Sequence, residues 1–146
     1  MVPIMSDPKA KMEHSMTDMK RWASYFDIPF KWPNQFPINT LKPLRITLQL
    51  DEPSAFIHRV YRAYWAEGRD ISSPDVLTEL LRELDLPRDL LQRTAEPAIK
   101  KALIDATQRA IERGVFGAPT CIVGDDLFFG QDRFQFVLNA LKRHAT

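Results

Sequence analysis

Proline placement constrains this chain more than any other feature. Proline locks φ and removes a backbone donor, so it is excluded from the interior of a long helix and from a central strand. Of the 11 prolines, Pro29, Pro33, Pro37 and Pro43 crowd one stretch, which can therefore be neither. The apolar residues between them, Phe30, Trp32, Phe36 and Ile38, are too aromatic for a flexible linker. They predict a loop laid tightly on the body of the protein.

Residues 1 to about 12, which hold Pro3 and Pro8, read as a weakly structured leader. From Ser15 onward Met16, Met19, Ala23 and Phe26 recur at helical intervals, flanked by Trp22 and Tyr25, until Asp27-Ile28-Pro29 ends the pattern. A short helix is predicted from Leu41 to about Leu50. Pro53 and Ser54 open the next, with Phe56, Val60, Tyr61, Tyr64 and Trp65 as its apolar stripe and Gly68 as its stop. Ser73-Pro74 pairs a capping serine with a proline in the first turn, and Val76, Leu77, Leu80, Leu81 and Leu84 then face the core. Pro87 starts a short helix through Leu90 and Leu91. After Glu96-Pro97 a longer helix runs to Gly114, with Ile99, Leu103, Ala106 and Ala110 on one face.

The final third behaves differently. Thr120 to Val123 is a β-type run, Gly124-Asp125-Asp126 is turn chemistry, and Leu127 to Phe129 is a second short strand, together a hairpin. Asp132 and Gln135 stand at capping-box spacing, ahead of a last helix whose stripe is Phe134, Val137, Leu138 and Leu141. The pattern is many helices, one hairpin and one more helix, with no internal repeat.

A chain of 146 residues is long enough to bury a real core, and a single domain is expected. Its 20 basic and 19 acidic side chains leave a net charge of +1, without the basic excess that nucleic-acid binding requires. No apolar run reaches the length of a membrane span, and the polar N-terminus lacks the apolar centre of a signal peptide. Cys121 stands alone, so no internal disulfide is expected, and His14, His58 and His144 are too scattered for a zinc site. A soluble, cytoplasmic protein without metal is expected.

Two segments carry candidate chemistry. In Gly114-Val115-Phe116-Gly117-Ala118-Pro119-Thr120 a proline stands between a glycine-flanked turn and a β-run, where a cis peptide is tolerated at modest cost. A cis bond there would aim the N–H and C=O of Ala118 outward, able to pair with an extended peptide as a strand edge does. An ordinary trans proline ending a loop is the alternative. In Gly130-Gln131-Asp132-Arg133 the N–H groups at a helix start attract a carboxylate while the Asp132 side chain can hold an ammonium group. An amino-acid head group carries both charges; the alternative is that Asp132 is only an N-cap. Cys121 reads as a small buried hydrophobe. The stripe around Tyr61, Tyr64 and Trp65 reads as core, and Arg69-Asp70 as a solvated turn or a local ion pair.

These two segments, through Gly124-Asp125-Asp126-Leu127-Phe128-Phe129-Gly130, resemble the C-terminal signature of 2-hydroxychromene-2-carboxylate isomerases, relatives of kappa-class glutathione transferases and DsbA-like thioredoxin proteins. Arg21-Trp22, the stretch from Pro29-Phe30 through Phe36-Pro37-Ile38-Asn39-Thr40-Leu41, and Tyr64-Trp65-Ala66-Glu67-Gly68-Arg69-Asp70-Ile71 are similar too. The resemblance implies an α/β, mostly helical, thioredoxin-like fold with a helical insertion and a short C-terminal hairpin. It divides the chain into a leader over 1–14, the insertion over 15–96 and the C-terminal half of the thioredoxin-like domain over 97–143. It also implies a glutathione site in which Pro119 is the cis-proline, Ala118 offers its backbone to the cysteinyl part, and Gln131 and Asp132 receive the γ-glutamyl head group.

Members of that family begin with a strand, a Ser-Pro-Tyr-Ser-like turn opening a helix, and a second strand, and nothing here matches them. The expectation is a chain that starts inside the insertion, lacks the N-terminal strand–helix–strand and carries over no catalytic residue. A dimer, or a separate chain, would then complete the sheet. The resemblance implies a glutathione-dependent isomerase acting on a small aromatic substrate in aromatic-compound degradation, impaired by truncation. A non-catalytic glutathione- or peptide-binding remnant and an inactive truncated product are the alternatives. A disulfide oxidoreductase is disfavoured because the Cys-x-x-Cys pair has no counterpart.

Overall fold

The computed structural model of this protein describes residues 8–144, which form two compact units divided between Ile104 and Asp105. Among the described residues there are seven α-helices, one hairpin and one 3-10 turn.

The larger unit is helical. Helix α1 is Lys9–Tyr25, so residues 9–14, assigned above to the leader, are helical; residues 1–7 lie outside the described residues. Lys9, Ala10, Lys11, Met12 and Glu13 are all good helix formers, and the Pro8 carbonyl accepts the N–H groups of Lys11 and Met12 at 2.9 and 3.1 Å. The helix stops at Asp27, whose φ of 52° is left-handed. Ile28 N–H reaches back to the Ala23 carbonyl at 2.8 Å, the closing bond of a Schellman cap. Phe26 is exposed, because it lies beyond the last helical turn and stacks on Trp22 instead.

The proline-rich stretch is a loop wrapped around Trp65. The rings of Phe30, Trp32 and Phe36 lie 6.0, 6.0 and 6.1 Å from it, and Lys31 N–H donates to its carbonyl at 2.6 Å. Pro33 is buried, and the Tyr64 hydroxyl donates to the Gln35 carbonyl at 2.7 Å. Helix α2 (Leu41–Thr47) holds Pro43 in its first turn, where a missing N–H costs no intrahelical bond. Helices α3 (Ser54–Trp65), α4 (Pro74–Glu83) and α5 (Asp89–Arg93) follow. The core joins Ile46 of α2, Phe56, Val60, Ala63 and Tyr64 of α3, Leu77, Leu80 and Leu81 of α4 and Leu90 of α5. Gln49 ties α2 to α5 by donating to the Leu90 carbonyl at 3.0 Å. Ser73 occupies the N-cap of α4 but its hydroxyl makes no cap bond. The carboxylate of Asp70 holds the preceding turn instead, accepting from Ser72 N–H and Oγ at 2.9 and 2.6 Å.

Helix α6 (Pro97–Glu112) leads into the smaller unit, and its predicted face of Ile99, Leu103, Ala106 and Ala110 is half-buried. Its end is another Schellman cap, with Gly114 at φ 82° and Val115 N–H on the Ala110 carbonyl at 3.0 Å. A Cβ on Gly114 meets nothing closer than a Leu127 methyl at 3.9 Å, so its penalty is purely conformational. Gly114→Ala is expected to destabilise the chain by about 1 kcal/mol, read as a lowered thermal midpoint.

Strands β1 (Thr120–Val123) and β2 (Asp126–Phe129) pair antiparallel, Thr120 opposite Phe129 and Val123 opposite Asp126. Gly124, at φ 60°, takes the first position of the two-residue loop, which is where such hairpins want glycine. Helix α7 (Phe134–His144) packs on the hairpin with Ala140 fully buried. The predicted stripe is only partly right: Val137 is half-buried, whereas Phe134, Leu138 and Leu141 are exposed. Two strands cover only a narrow strip of a helix.

Candidate functional site

The two segments singled out from the sequence lie at the same end of the hairpin. Thr120 pairs with Phe129 as the last rung, which leaves Pro119 opposite Gly130. Gly130 N–H donates to the Pro119 carbonyl at 3.0 Å, extending the ladder by one bond. The Ala118–Pro119 peptide is cis, the conformation that the family resemblance implies and that spacing alone left open against trans. The loop before it is pinned by the Thr120 hydroxyl, which donates to the Gly117 carbonyl at 2.6 Å, and by the rings of Phe116 and Phe129, 4.8 Å apart. Ala118 and Pro119 are exposed. Among the described residues the N–H and C=O of Ala118 meet no protein partner.

Gly130 turns the chain out of β2 with φ 109°, a conformation that favours glycine. The Asp132 carboxylate curls back over it, with Oδ1 2.7 Å from the place a Cβ would occupy. Gln131 and Asp132 lie in a 3-10 turn, Gln131–Arg133, that precedes α7. Asp132 is therefore not the N-cap of α7, and it makes no capping box with Gln135. Gly130 holds the cap position without a side-chain cap bond, and the Gln135 amide turns to Asn139. The extra turn shifts the helix start beyond the spacing a capping box needs. The half-exposed carboxylate instead pairs with the guanidinium of Arg133. That partner was missed from the sequence, although the adjacent opposite charges were visible.

Among the other residues singled out, Cys121 is half-buried and free. Tyr61 is 61% exposed and is not core: the buried positions of α3 are 56, 60, 63 and 64, and Tyr61 is rotated off that stripe. Arg69 does not pair with Asp70; it reaches across to Glu79 and Glu83 of α4. Arg59 joins the same network, donating to both oxygens of Glu67 at 3.0 Å and to Glu83.

The hydrogen bond from Arg59 holds Glu83 below the usual glutamate range, with Arg69 adding to it and burial opposing. The Ser72 hydroxyl and N–H do the same for Asp70, and the carboxylate of Glu83 raises the Arg59 value. A depressed carboxylate stabilises the folded state above its unfolded value and loses that contribution as pH falls through its folded value. Stability is therefore expected to decline below about pH 4.5. Glu83 is more than a third exposed, so the loss is less than about 1 kcal/mol and shrinks with added salt. Thermal midpoints between pH 3 and 6 at low and high salt read it, and Arg59→Leu should flatten the slope.

A family model described as a DSBA-like thioredoxin domain matches residues 2–142. The chain belongs to that family. The 2-hydroxychromene-2-carboxylate isomerase of Sphingobium xenophagum is 30% identical over 132 residues, covering 89% of this chain and 67% of the relative. Glutathione S-transferase kappa 1 of Caenorhabditis elegans is 23% identical over 145 residues, 88% of this chain and 64% of the relative. A solved 2-hydroxychromene-2-carboxylate isomerase superposes with a TM-score of 0.81 at 26% identity, over 96% of this chain and 72% of that one. The chain thus spans about two thirds of the length of the curated relatives it matches. Its mostly helical body and C-terminal hairpin are the thioredoxin-like fold of that family. Among the described residues no helix is long and apolar enough to cross a membrane, and no group of three or more His, Cys, Asp or Glu side chains is placed to hold a metal ion.

Proposed function

We propose that this chain is a glutathione-dependent protein of the 2-hydroxychromene-2-carboxylate isomerase type, acting on a small aromatic substrate. One observation supports the reading above others: the bond from Gly130 N–H to the Pro119 carbonyl at 3.0 Å. It holds the Ala118 backbone and the Gln131-Asp132 turn at one end of the hairpin, within one rung of each other. In this reading the unpartnered N–H and C=O of Ala118 pair with the extended cysteinyl part of glutathione, in the manner of an added strand. Gln131 and Asp132 receive the γ-glutamyl head group, Asp132 exchanging Arg133 for the ligand's ammonium. That exchange gives up a surface pair worth about 0–1 kcal/mol for a charge-assisted hydrogen bond to the ligand worth about 1.5 kcal/mol, and the main-chain bonds and the release of Arg133 towards the ligand's carboxylate add to it.

When bound, glutathione would supply the thiol that adds to a conjugated substrate and leaves again. This chain's contribution is to hold and orient it, Ala118 through its backbone and Gln131 and Asp132 through the turn that precedes α7. Thermal unfolding with and without millimolar reduced glutathione tests the reading. A ligand that binds only the folded state raises the midpoint by mass action. An upward shift supports the proposal, and a cooperative melt with no shift removes it.

A further inference from the structure

The hairpin of the smaller unit carries a row of unpaired main-chain groups. In an antiparallel pair, bonded residues alternate with unbonded ones. The Pro119 carbonyl accepts from Gly130 N–H, and Val123 closes the two-residue loop opposite Asp126. Between them Cys121, opposite Phe128, is the other residue of β1 bonded to β2. Thr120 and Ile122 therefore turn their N–H and C=O groups away from β2. The sheet is two-stranded, and among the described residues those groups meet no main-chain partner. β1 reads Thr-Cys-Ile-Val, β-branched but for Cys121 and without the charge, proline or bulge that guards an exposed edge. Helix α7, which packs on this hairpin, has an unpartnered surface of its own. Phe134, Leu138 and Leu141 are exposed and stand at i, i+4 and i+7, so they form one apolar stripe, rotated off the buried Ala140.

We propose that the free edge of β1 and the stripe of α7 are one interface, and that its occupant is a second copy of this chain. A two-fold axis perpendicular to the sheet at Cys121 sets β1 antiparallel to the partner's β1, with each Thr120 opposite the partner's Ile122. Both residues of that pair turn their free groups to the edge, so they exchange main-chain bonds, and no like charges oppose each other. The two hairpins become one four-stranded sheet, whereas two strands alone are marginal. The same axis keeps both copies of α7 on one face of that sheet. Strands lie about 4.8 Å apart, so helices seated over neighbouring hairpins lie about 10 Å apart, a distance at which helices pack, and stripe meets stripe. A foreign strand would fill the edge but leave Phe134, Leu138 and Leu141 in water; a second copy covers both. The inference stands apart from the glutathione reading, whose residues Ala118, Gln131 and Asp132 take no part in the pairing.

The test is sedimentation of the full chain over a range of concentrations, with amide hydrogen exchange read at low and high concentration. A reversible monomer–dimer equilibrium is expected, in which the Thr120 and Ile122 amides gain at least about tenfold protection in the dimer. Leu138→Lys sets like charges across the axis and should raise the dimer dissociation constant at least about tenfold. Phe136→Lys is the matched control: Phe136 is also exposed but lies off the stripe, and its variant should dimerise as the parent does. Both positions are on the surface, so both variants should keep a cooperative melt. A chain that stays monomeric overturns the proposal. So does a dimer whose Thr120 and Ile122 amides exchange as fast as the monomer's, or one that Leu138→Lys weakens no more than Phe136→Lys does.

Discussion

Phe56→Ala is expected to lower stability by about 3–5 kcal/mol, the largest effect of any single substitution considered for this chain. Phe56 is 1% exposed and is the largest fully buried side chain, set among Ile46 of α2, its own helix α3, and the leucines of α4. Truncation removes the transfer energy of the ring and leaves a cavity in the cluster it shares with Leu77, Leu80 and Leu81, each at 0% exposure. A core held by four helices cannot collapse fully around such a gap, so the cavity term persists. Domains of this size carry only about 5–15 kcal/mol in all, and the melting midpoint should fall by on the order of 10 °C or more. Tyr61→Ala, on the same helix, is the matched control. Its ring is mostly solvated, and its midpoint should stay within a few degrees of the parent's. Equal losses for the two would mean that α3 is not seated as described.

Asp132→Asn is expected to weaken glutathione binding roughly tenfold, the lower end for a hydrogen bond to a charged group because the site is exposed. The carboxylate would lose its attraction for an ammonium group while the amide keeps the shape of the turn. The unliganded midpoint should hardly move, since the surface pair with Arg133 is worth about 0–1 kcal/mol. At saturating ligand the glutathione-induced stabilisation should shrink by about 1.4 kcal/mol. A variant whose unliganded midpoint holds and whose glutathione shift equals the parent's would remove Asp132 from the head-group role. The backbone role of Ala118 would stand apart from that result.

The residues that sequence reasoning placed correctly are those governed by neighbours a few positions away. Leu77, Leu80 and Leu81 recur at helical spacing and are all buried. The aromatic residues between prolines do lie on the body, because such a loop has no other way to keep its rings from water. Errors arose where a local signal met a tertiary choice. The capping-box spacing of Asp132 and Gln135 is genuine, but Gly130 turns the chain into a 3-10 turn first, and both side chains find other partners. Arg69 stands beside Asp70 in sequence, yet Glu79 and Glu83 come closer once α4 folds back.

The sequence by itself determined the helical segments, the hairpin and the family signature; the structure shortened the predicted Gly124-Asp125-Asp126 turn to two residues by pairing Asp126 with Val123. Proline geometry, apolar spacing and glycine at positive φ act within one or two turns of chain. Only the tertiary structure decided that Pro119 meets Gly130, that Tyr61 is exposed while Val60 beside it is buried, and that Arg59 and Arg69 share their carboxylates. Those outcomes rest on contacts between segments far apart in the chain, whose energies appear only once the intervening helices have packed.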